Sequence, residues 1–339
     1  MKASTAEPSA DKPARFKIYP RLGNPKNSLC PLQPPGGLIL SGGAGHVLGA
    51  YAWMQRQLMG TTAKQRDKPG GDIVVLRATA DDTYSAEVLA AAPFNSVQTL
   101  CLPATATAKQ LRAAAKIVEL ADGVFFAGGQ QARYVAWQGS SLIEAVQAVY
   151  NRGGVVGGTS AGLAILGEHI FDGKVASSDE VTTKALLADP DNPHVTMTEH
   201  LFEFPPLDNV ITDTHFRERD RFGRLVTLMA RQHSGRILGI GVDEQTALCI
   251  DRAGNGHLER SRAGKGAAYL LRGHGHQVEK GAPLGPVTVH VTRIDSTNTA
   301  PSSFDFRTWR GHACDDYKVT VDATHAGPFS VDPYDGAKL

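Results

Sequence analysis

The hexapeptide Gly157-Gly158-Thr159-Ser160-Ala161-Gly162 contains Gly-x-Ser-x-Gly, the pattern of a nucleophile elbow. An apolar, strand-like run precedes it, and the helix-forming run Leu163-Ala164-Ile165-Leu166 follows. Glycines flanking a serine let the backbone turn sharply and keep Oγ clear of side chains. A helix starting there offers N–H groups and the positive end of its dipole. A serine nucleophile needs a base. Of the 12 histidines, His215 stands out, because Thr212-Asp213-Thr214-His215-Phe216 continues the apolar run at Val210. That places it at a strand end, on the side where the elbow opens. A third group must hold the imidazole. Gly239-Ile240-Gly241-Val242-Asp243-Glu244 is another strand ending in carboxylates, and spacing alone does not choose between Asp243 and Glu244.

Gly128-Gly129-Gln130-Gln131 follows the apolar run ending at Phe126. Backbone N–H groups at such a turn face a neighbouring site, and that of Gly129 with that of Ala161 would form an oxyanion hole. Ser41-Gly42-Gly43-Ala44-Gly45 has neither the spacing of a dinucleotide fingerprint nor the lysine of a P-loop. It reads as a turn that leaves room for the site. Arg217, Arg219, Arg221 and Arg224 crowd the stretch after His215. On a helix, Arg217, Arg221 and Arg224 would share a face. A charge run is usually solvated, whereas four arginines beside a base suit a carboxylate-binding wall; both readings stay open. Gly273-His274-Gly275-His276 suits a mobile turn better than a metal site. No metal or cofactor is expected.

These residues need a scaffold. From Gly36, short apolar runs alternate with helical stretches: Leu38-Ile39-Leu40, Ile73-Val74-Val75-Leu76, Val97 to Cys101, Gly123-Val124-Phe125-Phe126 and Gly154-Val155-Val156-Gly157. Runs apolar on both alternating faces belong to strands covered on both sides. Strand and helix in regular order predict an α/β fold, a parallel sheet with helices on both faces and ligands at the carboxyl ends of its strands. Val210-Ile211-Thr212, Ile237 to Val242 and Ala247 to Ile250 are expected in the same sheet or its extension. Residues 1–35, with seven prolines, read as an extended arm. Residues 36–285 read as the catalytic α/β domain, and residues 286–339 as a loop-dominated accessory C-terminal extension.

The net charge of +1 over 339 residues supports neither a nucleic-acid binder nor a polybasic membrane binder. No apolar run approaches the ~20 residues of a membrane helix. Met1 to Pro8 shows no apolar h-region, so no signal peptide is expected in this chain. A trimmed leader would leave the same sequence, and the compartment stays open. Cys101 and Cys249 follow leucines and read as buried free thiols. An oxidising setting would allow Cys30 and Cys314 to pair, though nothing in the sequence requires it.

Phe126-Ala127-Gly128-Gly129-Gln130-Gln131, the elbow at Ser160, Asp213-Thr214-His215-Phe216 with Arg219-x-Arg221, and Gly241-Val242-Asp243-Glu244 occur in that order. Together they resemble the cyanophycinases, of the serine peptidase family that also holds aspartyl dipeptidase. The likeness covers about residues 36–255. It implies a flavodoxin-like fold related to class I glutamine amidotransferases, and a triad of Ser160 nucleophile, His215 base and Glu244 acid. It also implies a substrate pocket at Gln131, Asp213, Thr214, Arg219, Arg221 and Arg224. Thr214 stands where intracellular members typically have Gln, and Gln130 where they typically have Asp. The Pro-rich arm and C-terminal tail look more like the extracellular branch.

The activity so implied is exopeptidase cleavage of cyanophycin, a polyaspartate bearing arginine on each β-carboxylate, to β-Asp-Arg dipeptides by a homodimer. Alternatives are a related aspartyl dipeptidase or esterase on the same scaffold, and a silent binding protein that keeps the arginine pocket.

Overall fold

In the computed structural model, five of the doubly apolar runs pair in parallel. The structure describes residues 15–28, 36–60, 68–79, 84–232, 235–261, 264–274, 278–295 and 301–339. Ser96–Cys101, Asp72–Arg77, Gly123–Phe126, Val155–Thr159 and Gly37–Ser41 lie side by side in that order. Counted from Asp72–Arg77, the first four follow the 2-1-3-4 order of flavodoxin-like sheets, and Gly37–Ser41 takes the fifth place.

Alternation sends Leu38, Leu40, Val74, Leu76, Val124, Phe126 and Val156 to one core, beneath helices Ala108–Val118 and Ser141–Asn151. Ile39, Ile73, Val75, Val97, Phe125 and Val155 face the other, beneath helices Leu48–Met59 and Ser85–Ala91. Helix Ala108–Val118 starts with a reciprocal cap. Thr107 Oγ1 accepts the Gln110 N–H at 3.3 Å, and Gln110 Oε1 accepts the Thr107 N–H at 2.8 Å.

The later segments divide between two sheets instead of joining one. Thr246–Asp251 extends the first sheet antiparallel to Gly37–Ser41, followed by Asn255–Arg260, Ser303–Asp305 and Arg310–His312. Val210–Thr214 and Arg236–Val242 pair in parallel in a second sheet. Ala268–His274, Val287–Ile294 and Asp315–Val321 continue that sheet antiparallel, and His169–Phe171 and Met197–Glu199 lie on its other side. Helices Thr183–Ala188 and Phe222–Ala230 cover one face of it. Leu238, Ile240, Val242, Ala268 and Leu270 turn the other face into the core of the first sheet.

The stretch beyond residue 286 is therefore strand-rich and feeds both sheets. Its apolar alternation, at Val287, Val289 and Val291, packs with Val319 and Val321 of the last strand. Within residues 1–35, Lys17–Ile18 and Leu22–Gly23 pair with Ser96–Cys101, and Arg21 meets Asp72 at 2.5 Å. Cys101 and Cys249 are buried. The pairing of Cys30 with Cys314 that an oxidising setting would allow involves a residue outside the described ones. Among the described residues, no helix is long and apolar enough to cross a membrane.

Candidate active site

Val155–Thr159 ends at Ser160, and helix Ala161–Ala164 begins directly behind it. Ser160 has φ +53°, a conformation non-glycine residues adopt only where their surroundings hold them there. Its N–H donates to Ser41 O at 3.0 Å. The flanking glycines have steric causes. A Cβ at Gly158 would stand 2.2 Å from Gly162 O, and one at Gly162 would stand 2.2 Å from Phe126 O. Because the helix is a single turn, its dipole contributes little; the turn's use is to end the strand and present the hydroxyl.

His215 follows Val210–Thr214 directly, so the imidazole hangs from the second sheet while the serine hangs from the first. Ser160 Oγ and His215 Nε2 are 2.9 Å apart, and His215 Nδ1 is 2.7 Å from Glu244 Oε1. Glu244 sits in the chain crossing from Val242 to Thr246, which joins the two sheets. Of the two adjacent acids, Glu244 reaches the imidazole. Asp243 turns inward, where it accepts N–H groups of Arg217 and Ala267 and the Tyr269 hydroxyl. Burial pushes the Asp243 carboxyl up to about 6.

The glycine loop after the first strand docks His215 and the turn that carries Glu244. Gly42 O accepts the His215 N–H and Gly43 O accepts the Gln245 N–H, each at 2.9 Å. Gly43 has φ +105°, and a Cβ there would stand 2.4 Å from His215 Cε1. Gly43→Ala is expected to displace the ring and lower kcat/KM about 100-fold, while the melt shifts by no more than about 1–3 kcal/mol. Full activity in that variant would show that the ring position does not matter.

The arginines do not form one helix face. The turn after His215 runs through Asp220 at φ +47°, and the helix starts only at Phe222. The Arg217 guanidinium lies over the Tyr334 ring, 5.7 Å from its centroid. Arg224 is buried with every nitrogen engaged. Its Nε donates to Asp213 Oδ2 at 2.9 Å, Nη2 donates to Asp213 Oδ1, and Nη1 donates to Ser178 O and Val181 O. Arg221 is also buried and donates to Thr214 O at 2.9 Å and Thr214 Oγ1 at 3.1 Å. Arg217 and Arg219 are exposed; the Arg219 side chain, 38% exposed, pairs with Asp179 at 2.7 Å.

Gln131 is buried, with Nε2 donating to Phe171 O at 3.1 Å. Gly128 borders the serine: a methyl group there would lie 3.5 Å from Ser160 Cβ, whereas one at Gly129 would face Thr79. Ser178 and Asp179, which hold the arginines, carry no sequence signal. Of Gly273-His274-Gly275-His276, the last two residues lie outside the described ones.

The family model for peptidase family S51 matches residues 77–255, just over half of the chain. The chain belongs to peptidase family S51. Among this family's curated members, the cyanophycinase of Trichormus variabilis is 33% identical over 183 residues, 52% of this chain and 55% of the relative. That of Geminocystis herdmanii is 32% identical over 182 residues, 52% of this chain and 60% of the relative. The chain thus spans about half the length of the curated relatives it matches. A solved peptidase from an acI-B1 Actinobacterium is 17% identical, with a TM-score of 0.46 over 74% of this chain and 94% of that one.

The electrostatics of this S51 site favour a neutral imidazole. Burial, then the guanidiniums of Arg219 and Arg221, push His215 down to about 3. In the unfolded chain the ring protonates near ~6.5. Between those values the unfolded chain binds more protons, so His215 costs stability progressively as pH falls through that window. His215→Gln is therefore expected to lose less Tm than the parent between about pH 7.5 and about pH 5. An equal loss in both would contradict the depressed value.

Proposed function

We propose that this chain is a serine exopeptidase acting on cyanophycin, releasing β-Asp-Arg dipeptides through Ser160, His215 and Glu244. The observation that carries this reading is the line Ser160 Oγ, His215 Nε2, His215 Nδ1, Glu244 Oε1, with links of 2.9 and 2.7 Å. An ionised carboxylate only accepts, so Nδ1 carries the ring proton and Nε2 is left to take the hydroxyl's. The elbow supplies a half-buried Oγ that a substrate can approach.

In the proposed sequence, His215 Nε2 takes the Ser160 proton as Oγ attacks the amide carbonyl of the terminal unit. N–H groups of Ala161 and the Gly128–Gly129 turn receive the oxyanion. His215 then protonates the departing amine, and a water activated by the same ring hydrolyses the acyl-enzyme. Glu244 keeps the ring oriented and stabilises its transient positive charge. Arg219, with its open side chain, is placed to meet a substrate carboxylate. Arg221 and Arg224 support that wall from beneath, through Thr214 and Asp213. The cyanophycinases among the relatives support the substrate, and the extent of the match makes it a proposal.

Incubation with purified cyanophycin followed by mass analysis tests the reading. The expected product is the β-Asp-Arg dipeptide. Turnover of α-aspartyl dipeptides or simple esters with intact polymer would instead favour the dipeptidase or esterase alternatives.

A further inference from the structure

One face of the second sheet carries a row of basic side chains that the mechanism does not use: two cations flanking an imidazole. Arg272 stands opposite His290, and His290 stands opposite Lys318, in register across three antiparallel strands. All three side chains are exposed. Burial, then Lys318 and Arg272, push the His290 imidazole below its ordinary value, a sign of the positive field. Neither Arg272 nor Lys318 has an ion pair among the described residues.

The same face is apolar at its other end, where Leu270 and Ile294 enter the core. Where it turns outward, the hairpin of Ser303–Asp305 and Arg310–His312 rises beside it. Trp309 anchors that hairpin edge-on to Phe304 and Phe306, with ring centroids 5.2 and 5.6 Å away. The result is a groove of ≈490 Å³ that also contains Arg310 and Asp316.

We infer that this groove is an accessory binding site for a strand of the polymer, held by its carboxylates while its end is processed at Ser160. The inference rests on the proposed function. In a β-Asp-Arg unit the arginine is joined through its amino group, which leaves one carboxylate and one guanidinium free on every unit. Adjacent strands are ~4.8 Å apart, so the cation row spans about 10 Å and meets carboxylates of successive units. Asp316 stands beside it for a guanidinium. None of these groups belongs to the Ser160–His215–Glu244 line or to the arginine block.

The test uses co-sedimentation of the full chain with insoluble cyanophycin, in a Ser160→Ala background so that no polymer is consumed. Adding Arg272→Gln and Lys318→Gln is expected to lower the affinity about tenfold, and binding by the parent should weaken with salt. In the active background, the same pair should leave release from a short soluble β-Asp-Arg oligomer within about twofold of the parent. Its melt should be unchanged, because both side chains are exposed and no ion pair is lost.

Undiminished co-sedimentation overturns the groove while leaving the hydrolase intact. So does an equal loss on short oligomer and polymer, or a lowered melt. If the active chain releases no β-Asp-Arg from any substrate, the proposed function fails, a result the sedimentation readout does not mimic.

Discussion

Ser160→Ala is expected to retain the fold and to release product from cyanophycin at least about 10⁴-fold more slowly than the parent. Among the described residues the side chain makes one hydrogen bond, to His215 Nε2 at 2.9 Å. Alanine keeps the Cβ, so the strain at φ +53° is carried equally by both proteins. Stability should therefore change by no more than about 1 kcal/mol. The readouts are product mass, a melt, and labelling by a general serine-protease inhibitor, which the parent should show and the variant should not. Undiminished release by a folded Ser160→Ala protein would refute the nucleophile assignment.

Asp213→Ala is expected to cost about 3–5 kcal/mol in urea unfolding, more than any other single change considered for this site. Burial alone would push the Asp213 carboxyl up. Arg224, followed by Arg221, outweighs it and holds the group below the ordinary carboxylate range. Removing Asp213 leaves the Arg224 guanidinium, 2% exposed, without its counter-charge. Asp213 also accepts the Thr214 N–H at 2.8 Å, one residue before the base, so activity should fall with stability. The double change Asp213→Leu with Arg224→Met should recover much of the loss, because no unpaired charge remains. A single-variant cost below about 1 kcal/mol would show that the pair does not hold this region together.

The elbow was legible because three signals coincide there: the strand before it, glycines at 158 and 162, and helix formers after it. Each glycine then proved sterically required. The five parallel strands were legible because helices on both faces leave runs with no polar side. That same property hid the second sheet. Val210–Ile211 and Ile237–Val242 carry apolar residues on both faces too, and the run alone does not say which sheet they join. Partners set far away in the sequence decide it, such as Ala268–His274 for Arg236–Val242.

Asp243 and Glu244 were indistinguishable by spacing, because the strand ends at Val242 and the turn at Glu244 and Gln245 that parts them is held by the distant Gly43 carbonyl. One reaches His215 and the other the interior. The arginine spacing matched a helix that begins only at Phe222, since the left-handed turn at Asp220 depends on tertiary contacts. Tyr334, whose hydroxyl contacts Asp220 at 3.0 Å, comes from more than a hundred residues later.

The placement of Glu244 in the crossing between sheets has a consequence for biosynthesis. Chains emerge N-terminus first at ~5–20 residues per second. A nascent chain that ends before Glu244 already contains the serine and the histidine. It lacks the carboxylate, and it lacks the strand that lies against Gly37–Ser41 beside the elbow. Hydrolytic competence on the proposed reading therefore arrives only once Glu244 and Thr246–Asp251 have been made, and products truncated between His215 and Glu244 carry the nucleophile without the means to use it.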